Sequence, residues 1–488
     1  MTQASSAGVA AGPPGDGAVA AIEDLLVDIV GAAHVDIGEH IGADDTHDEA
    51  LTVIAVRPRA VVRPASTDEV AAIVQAAASL RVPLTARGSG TGLSGGSTPV
   101  AGGVVVSFER MNRILEIDTD NHVAVVESGV TLAELDTALL PLRLIYPVFP
   151  GEQSASLGGN VATNAGGMRA VKYGVTRHHV LAIEAVLGTG EVITAGGKFV
   201  KATSGYDLTQ LVIGSEGTLA LVTRATLRLH PRPGHLATLL APFATLDEIA
   251  ASVPVLVASG VGPLMVEYID LVSMAGITAN ADLELGIPDH IRERALAYLV
   301  VVLEDHRADR LDEDTQAVAE QLATLGALDV YVLPPRAGGQ LVEARERAFW
   351  AAKAAGANDI VDVVVPRASI PDYLDTVAEL AAETSSLVVG CGHAGDGNVH
   401  LSVWQADPEL RHGLLRAIVG AGVSLGGAVS GEHGIGTEKR TYFEEFEDPV
   451  KLALMRRIKA AFDPCGILNP GTIFAPVGTT GEQTGEQQ

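Results

Sequence analysis

Three glycine-rich segments in the first half of the chain constrain its fold more than any other feature. They are RGSGTGLSGG at 87–96, the stretch from PGEQ to KYG at 150–174, and GYDLTQLVIGSEGTLA at 205–220. Each segment lies beside a predicted strand. Where no Cβ intervenes, backbone amides can approach a pyrophosphate closely. Three such loops in one region predict a long, extended ligand that lies along a sheet.

The first loop contains Gly90, Gly92 and Gly95 in the GxGxxG spacing of dinucleotide-binding folds. A Rossmann fingerprint must open a helix, whose amino-terminal end binds the pyrophosphate. Here the loop continues through Pro99 and further glycines into a β-branched strand. The Rossmann interpretation therefore fails, which argues against a nicotinamide-dependent enzyme.

The order of predicted elements indicates an α+β protein with two large domains. Strand AVVRP, helix VAAIVQAAASL and strand VPLTA form a β-α-β start, and more strands follow as far as the HPRP segment. We predict a first domain at 21–233 and a second at 234–475. In the second domain, strand-helix-strand units predict a ferredoxin-like sheet with helices on one face. The polar ends at 1–20 and 476–488 are predicted to be disordered tails.

The composition of the chain argues against several classes of function. The 488 residues carry a formal net charge of −27, which argues against a nucleic-acid-binding surface. The sequence has no apolar run of 18 residues and no signal segment, so it predicts neither a transmembrane helix nor export. We expect a cytoplasmic protein, with peripheral membrane contact as the alternative. Cys391 and Cys465 follow no disulfide or zinc-site pattern.

The segment GHAGDGNVH carries two histidines, His393 and His400, around a GDGN turn. A hairpin at this turn would bring the two imidazoles together. Glu432, in SGEHGIG, supplies a third ligand. Two imidazoles and one carboxylate form a set that binds catalytic zinc, and in another geometry iron or manganese. Ligand type alone does not decide the metal, although we expect zinc before manganese or iron. The alternative, in which the histidines are hydrogen-bonded core residues, stays open.

Several long motifs together resemble one family. VVRPASTDEVAAIV, RGSGTGLSGG, GGNVATNAGG, GSEGTL, GCGHAGDGNVH, SGEHGIG and DPCGILNPG are similar to the FAD-linked oxidases of the vanillyl-alcohol oxidase/p-cresol methylhydroxylase superfamily. That family includes glycolate oxidase FAD subunits, D-lactate dehydrogenases and D-2-hydroxyglutarate dehydrogenases. The resemblance implies a two-subdomain FAD-binding domain of p-cresol methylhydroxylase type, then a ferredoxin-like α+β substrate domain and a C-terminal helical segment.

The resemblance also implies site residues. It assigns a divalent ion to His393, His400 and Glu432. Because the first loop has no histidine, we predict noncovalent FAD. The expected FAD contacts are Pro64, Arg87, Gly88, Ser89, Gly90, Thr91, Gly92, Ser94, Gly95, Gly96, Pro150, Gly151, Ser156, Gly158, Gly159, Asn160, Thr163, Asn164, Gly166, Glu216, Gly217 and Asn469.

These residues predict oxidation of a D-2-hydroxy acid to the 2-oxo acid. A metal bound to the hydroxyl lowers its pKa, and His433, beside a ligand, is the expected general base. Asp396 and Asn398 are expected to shape the hairpin. Lys353 and Arg347 are the expected cations for the substrate carboxylate. Family members usually carry arginine where Lys353 stands.

The substrate is less constrained by the sequence. The hydroxyglutarate branch has a lysine where this chain has Ile360, which favours a small monocarboxylic acid such as lactate or glycolate. The electron acceptor is expected to be a quinone, an electron-transfer protein or O2. Alternatives are an FAD subunit of a glycolate oxidase complex, a D-2-hydroxyglutarate dehydrogenase, and a flavin-binding scaffold without catalysis. A homodimer is a further expectation.

Overall fold

The computed structural model describes residues 16–476, with side chains from residue 21 onward. It contains an amino-terminal lobe, residues 16–231, and a carboxy-terminal lobe, residues 235–446. The first helix begins at Asp16, inside the segment predicted to be a tail. The rest of the two predicted tails lies outside the described residues, except Pro476. Within the described part of the chain, no helix is long and apolar enough to cross a bilayer.

The amino-terminal lobe holds two main sheets. Its strands are β1 (Val35–Ile37), β2 (Ala60–Val62), β3 (Leu84–Arg87), β4 (Val104–Ser107), β5 (Ile114–Asp118), β6 (Val123–Glu127), β7 (Leu144–Ile145), β8 (Val180–Leu187), β9 (Val192–Gly196), β10 (Ala220–Arg228) and β11 (His230–Pro231). One sheet has the order β1-β2-β4-β3, and the other, β5-β6-β10-β8-β9, is antiparallel throughout. Strands β7 and β11 form a short ribbon.

The helices of this lobe cover the sheets. They are α1 (Asp16–Val30), α2 (Thr67–Leu80), α3 (Leu132–Leu139), α4 (Leu157–Thr163), α5 (Ala170–Tyr173) and α6 (Leu208–Val212). Helix α2 begins where the sequence predicts, because the Ser66 hydroxyl accepts a hydrogen bond from the Glu69 amide at 3.2 Å. Its apolar residues recur at helical spacing and are buried. They are Val70, Ile73, Val74 and Ala77.

The carboxy-terminal lobe is built on one seven-stranded antiparallel sheet. Its strands are β12 (His235–Phe243), β13 (Met265–Asp270), β14 (Ala297–Asp305), β15 (Tyr331–Leu333), β16 (Asp359–Val364), β17 (Leu387–His393) and β18 (Asn398–Trp404). Their order in the sheet is β15-β12-β14-β13-β17-β18-β16. Consecutive members of this order pair antiparallel.

Helices cover both faces of this sheet, not the one face expected from the sequence. They are α7 (Leu246–Ala258), α8 (Leu271–Asn280), α9 (Asp289–Arg292), α10 (Ala308–Thr324), α11 (Pro335–Glu346), α12 (Ala348–Ala354), α13 (Ile370–Glu383), α14 (Pro408–Ser424) and α15 (Arg440–Phe446). The last helix, α16 (Pro449–Phe462), follows this lobe and packs with Phe462 against the amino-terminal lobe. Helices α7, α10, α13 and α14 pack on one face, and α8, α9 and α11 on the other. Strand β14 explains this, because its first seven residues are all buried and so neither face can meet water.

The end of the chain returns to the amino-terminal lobe. After α16, Leu468 pairs with Leu84 of β3, and the Asn469 side-chain amide donates to the carbonyl oxygens of Gly96 and Glu216, both at 2.7 Å. The buried Asp463 carboxylate accepts from the Leu468 amide at 2.8 Å. The last residues of the predicted second domain therefore complete the first lobe, because they form a β-bridge to β3 and hydrogen bonds to two glycine loops.

We predict that Asp463→Ala detaches this C-terminal segment. Asp463 is fully buried and also pairs with Lys459, so its removal leaves the Lys459 ammonium without its counter-charge, next to the carbonyl oxygens of Thr218 and Leu468. Breaking a buried pair costs about 3 kcal/mol and should lower the midpoint of thermal unfolding by about 5 °C. Asp309→Ala, at an exposed ion pair, is the control and should shift the midpoint by about 1 °C or less. Equal shifts for both variants would contradict the prediction.

Candidate functional site

The glycine loops enclose a cavity of about 1320 Å³ between the two sheets of the amino-terminal lobe and the carboxy-terminal lobe. Most of the FAD contacts expected from the sequence line it. They are Gly88, Ser89, Gly90, Thr91, Gly92, Ser94, Gly96, Pro150, Ser156, Gly158, Gly159, Asn160, Thr163, Gly166, Glu216 and Gly217. Three separate loops thus meet around one elongated space.

Six expected contacts do not line this cavity, namely Pro64, Arg87, Gly95, Gly151, Asn164 and Asn469. Arg87 points under the first loop and donates to the His47 carbonyl oxygen at 2.7 Å. Asn164 ends α4 in the left-handed conformation and accepts from the Arg177 amide. Asn469 joins the first and third loops, as described above. These residues support the cavity wall from behind, and Pro64 is buried after β2.

The polar lining of the cavity fits a ligand rich in hydrogen-bonding groups. The side-chain nitrogen of Asn160 and the hydroxyl of Ser215 are buried, and neither has a hydrogen-bond partner among the described residues. Buried polar groups in folded proteins are paired, so such atoms in a cavity indicate a missing ligand. A flavin dinucleotide, with its phosphates, ribityl hydroxyls and ring carbonyls, meets this requirement.

A second cavity of about 1430 Å³ lies between β17, β18, α8 and α12. It meets the first cavity at four residues that line both. They are Leu93, Pro150, Glu432 and His433. A ligand in the second cavity can therefore reach one in the first only beside the SGEHGIG loop.

The hairpin predicted around GDGN is present. Strands β17 and β18 pair so that His393 faces Asn398 and Cys391 faces His400. Side chains of paired residues lie on the same face of a sheet, as do those two apart in a strand. His393 and His400 therefore share a face, and their ring centroids are 4.9 Å apart. This is the proximity that the sequence predicts.

Glu432 reaches both imidazoles. Its Oε1 lies 3.0 Å from His393 Nε2 and 3.3 Å from His400 Nε2. Ligand atoms of the three side chains lie within 4.8 Å of one another, close enough to share one ion. Burial alone would lower the pKa of His393, but the carboxylates of Glu267 and Glu432 raise it well above the ordinary value. The carboxylates of Glu267 and Glu432 thus favour a positive charge within this cluster.

Glu267 and Arg345, which sequence reasoning did not assign, extend this cluster. Glu267 on β13 is buried, and its Oε1 lies 2.8 Å from His393 Nδ1. Arg345 on α11 lies 2.9 Å from the other oxygen of Glu267. A carboxylate behind a ligating imidazole fixes its tautomer and orientation. The only signal for Glu267 in the sequence was an acid in the middle of the strand MVEYID, between apolar residues.

Asp362 on β16 is the second residue that the sequence analysis missed. Its fully buried carboxylate accepts hydrogen bonds from the Ser430 hydroxyl at 2.6 Å and from the amides of Gly431, Glu432 and His433 at 3.1, 3.1 and 2.9 Å. Asn398 donates to its other oxygen at 2.8 Å. Asp362 is the one acid in the segment IVDVVVP, and it shapes the loop that carries Glu432.

A second group of potential ligands contains Asp362, His400 and His433. It is the weaker candidate, because the carboxylate oxygens of Asp362 already accept hydrogen bonds. The donors are Asn398 and the loop residues Ser430, Gly431, Glu432 and His433. The group formed by His393, His400 and Glu432 has no such competition. The two groups share His400 and cannot both be complete.

His433 lies next to this cluster and lines both cavities. Its ring stacks on His400, with centroids 4.9 Å apart and planes inclined by 22°. Burial lowers the pKa of His433 to about 4, although the Asp362 carboxylate opposes this shift. His433 is thus held as a neutral imidazole, the form that can accept a proton. Asp396, by contrast, sits in the hairpin turn, where burial raises its pKa to about 7.

The structure does not support the two substrate-binding cations predicted from the sequence. Arg347 is 71% exposed and pairs with Glu343, one helical turn away. Lys353 pairs with Glu49 at 2.6 Å and does not line the second cavity. Lys353 was predicted from its position in the family motif and Arg347 from its place in the same segment, and neither side chain reaches the second cavity. Arg345 is the cation of this region that lines the cavity.

Comparisons with known proteins agree with this architecture. The FAD binding domain family matches residues 58–196, and the family of FAD linked oxidases, C-terminal domain, matches residues 232–473. Substrate-bound p-cresol methylhydroxylase has a TM-score of 0.79 at 17% identity, covering 95% of this chain and 98% of that chain. The fold and the first cavity thus define an FAD-binding protein of p-cresol methylhydroxylase type, as the sequence predicted.

Proteins related by sequence share a higher identity with this chain than p-cresol methylhydroxylase does. A D-lactate dehydrogenase of Anaerostipes hadrus is 36% identical, covering 90% of this chain and 94% of the relative. Glycolate oxidase subunit GlcD of Bacillus subtilis is 35% identical, with 86% and 89% covered. A Mycobacterium tuberculosis protein described as an uncharacterized FAD-linked oxidoreductase is 56% identical, with 92% and 97% covered. The chain belongs to the FAD-linked oxidase family, and the resemblance found in its motifs is confirmed.

We predict that Asn160→Ala weakens FAD binding. Its buried side-chain nitrogen lines the cavity without a partner, so truncation removes one hydrogen bond to the cofactor and raises the Kd about tenfold. Fluorescence titration of FAD-free protein measures the change. Asn164→Gly is the matched control, because glycine accepts the positive φ at this position and the side chain lies behind the wall. An equal loss in both variants would assign the effect to the fold of α4.

Proposed function

We propose that this protein oxidises a D-2-hydroxy acid to the 2-oxo acid, using noncovalent FAD and a divalent metal ion. The observation that carries this proposal is the position of Glu432 and His433 at the junction of the two cavities. A substrate at that junction touches the metal ligands and the base and faces the cofactor cavity. No histidine occurs in the first glycine loop, which supports noncovalent attachment.

The residues of the chain divide the chemistry between them. FAD, when bound, accepts the α-hydrogen together with its electron pair, and reduced FAD later passes two electrons to an acceptor. His433 takes the hydroxyl proton, which leaves the carbonyl of the 2-oxo acid. His393, His400 and Glu432 hold the ion, whose positive charge makes that hydroxyl more acidic. We favour zinc, because this ligand set is common in catalytic zinc sites.

We assign to Arg345 the binding of the substrate carboxylate, the role that the sequence analysis gave to Lys353 and Arg347. Its side chain is buried in the second cavity, and its Nε has no hydrogen-bond partner among the described residues. The Nη2 atom, 2.9 Å from Glu267, also makes no aligned hydrogen bond, so the guanidinium group keeps donors that suit a carboxylate. The substrate carboxylate would thus lie between Arg345 and the ion, with its hydroxyl toward His433.

The similarity to glycolate oxidase subunit GlcD supports a second candidate, an FAD subunit that passes electrons to partner subunits or O2. Both candidates share the first half-reaction. Anaerobic reduction of the flavin by a panel of D-2-hydroxy acids tests that step, and the rate of reoxidation by O2, a quinone or a dye separates the acceptors. A flavin that no acid in the panel bleaches would contradict both candidates.

We predict that His433→Ala keeps FAD bound and slows anaerobic flavin reduction about 100-fold, the usual effect of losing a general base. The backbone amide of His433 still donates to Asp362, so the loop should keep its shape. Stopped-flow absorbance measures the rate. His306→Gln, at an exposed histidine, should leave the rate unchanged. A His433→Ala rate within threefold of the parent would remove His433 from the proton transfer.

We predict one divalent ion per chain and a large loss of ion affinity in Glu432→Ala, about 100-fold, because one of three ligands is missing. Mass spectrometric metal analysis after dialysis measures the content independently of activity. Glu438→Ala, in the same loop but outside the ligand group, is the matched control and should retain the ion. Full flavin reduction after verified metal removal would exclude the ion from the mechanism.

A further inference from the structure

The second cavity has a floor made by one face of the β17/β18 hairpin. Because alternate residues of a strand point to the same face, two rows of side chains line it. Strand β17 contributes Leu387, Val389, Cys391 and His393, and β18 contributes His400, Ser402 and Trp404. The cross-strand pairs 391/400, 389/402 and 387/404 keep the two rows in step.

This floor changes in polarity along its length. The imidazoles of His393 and His400 lie at the turn, beside Glu432. At the other end, Leu387 faces Trp404, and Leu387 is 51% exposed at the mouth. With a rise of about 3.3 Å per residue, the floor from 387 to 393 is about 20 Å long. A lactate or glycolate molecule would occupy only its polar end.

The walls leave the space above the floor open. On and just after α12, the cavity-lining residues Ala348, Ala351, Ala352 and Ala355 recur at helical spacing and have small side chains. On α8, which packs against β17 and α12, Gly276 lines the cavity, and a Cβ there would meet no atom within 4 Å.

Larger apolar residues close the sides of this space. They are Met168, Val272, Ile277 and Phe349. The cavity is therefore an apolar trough that begins at the imidazoles and opens at Trp404. The indole nitrogen of Trp404 donates to the Ala355 carbonyl oxygen at 3.1 Å, which holds the ring against the end of α12.

We propose that the physiological substrate is a D-2-hydroxy acid with a long, unbranched aliphatic side chain. The inference rests on the proposed function and adds the substrate class to it. The carboxylate and hydroxyl bind at Arg345 and the ion-binding cluster, and the alkyl chain lies along the floor toward Trp404. The sequence-based expectation of lactate or glycolate used only the absence of a second cation at Ile360, which an aliphatic chain equally satisfies.

The test is a chain-length series read at the flavin. The FAD-loaded protein is mixed anaerobically with D-2-hydroxypropanoate, -butanoate, -hexanoate and -octanoate, and the apparent Kd for flavin reduction is measured. Each buried methylene should lower the Kd about fourfold, the ratio expected for removing one CH2 from water. A Kd that is flat or rises with chain length, while flavin is still reduced, overturns this inference and leaves the proposed function intact. Failure of every acid to reduce the flavin overturns both.

A matched pair of variants tests the trough itself. Ala352→Phe fills it and should raise the Kd for D-2-hydroxyoctanoate at least tenfold, so that the preference over the propanoate falls. Ala354→Phe, on the exposed side of the same helix, should change neither Kd. Unchanged octanoate binding in Ala352→Phe, with weaker binding of a short-chain quinone acceptor, would assign the trough to the acceptor and overturn the inference.

Discussion

The site depends on one buried carboxylate. Asp362 accepts hydrogen bonds from Ser430 and from three successive amides, and this folds the SGEHGIG loop around it. Burial alone would raise the pKa of Asp362, but the neighbouring side chains of His433, Lys439, His400 and Ser430 hold it well below its ordinary value. A carboxylate buried without such partners would cost several kcal/mol, so the loop has little freedom to open. Glu432 and His433 therefore have one position, at the end of the second cavity.

The same loop is bound from the cofactor side. Glu216, in the third glycine loop, accepts from the amides of Ile435 and Gly436, both at 2.7 Å. Gly436 has a φ of 54°, a conformation that glycine adopts without strain. The hydroxyl of Ser94 in the first loop lies 3.0 Å from the carbonyl oxygen of His433. The loops that line the first cavity thus hold the loop that carries His433, which fixes the position of the second cavity relative to the first.

Basic and acidic side chains alternate inside the site, so that each has a neighbour of the opposite kind. Arg345, Glu267, His393 and Glu432 form a buried chain in which basic and acidic side chains alternate, and the chain ends at His400. Each member would be costly alone, and each neighbour offsets that cost. A cation at the end of the chain and an anionic substrate beside Arg345 extend the same pattern. The apolar trough begins where the charged chain ends, which separates the reacting end of a ligand from its tail.

The sequence by itself determined the family, the glycine loops and the hairpin that joins His393 to His400, because these follow from local turn chemistry and strand alternation. Only the tertiary structure decided which acids and cations face the site. Asp362 and Glu267 are acids inside largely apolar strands, and their side-chain partners lie at least 36 residues away in the chain. Lys353 and Arg345 lie eight residues apart, yet only the packing of α11 and α12 decides which enters the cavity. Burial and distant partners, not local pattern, set these roles.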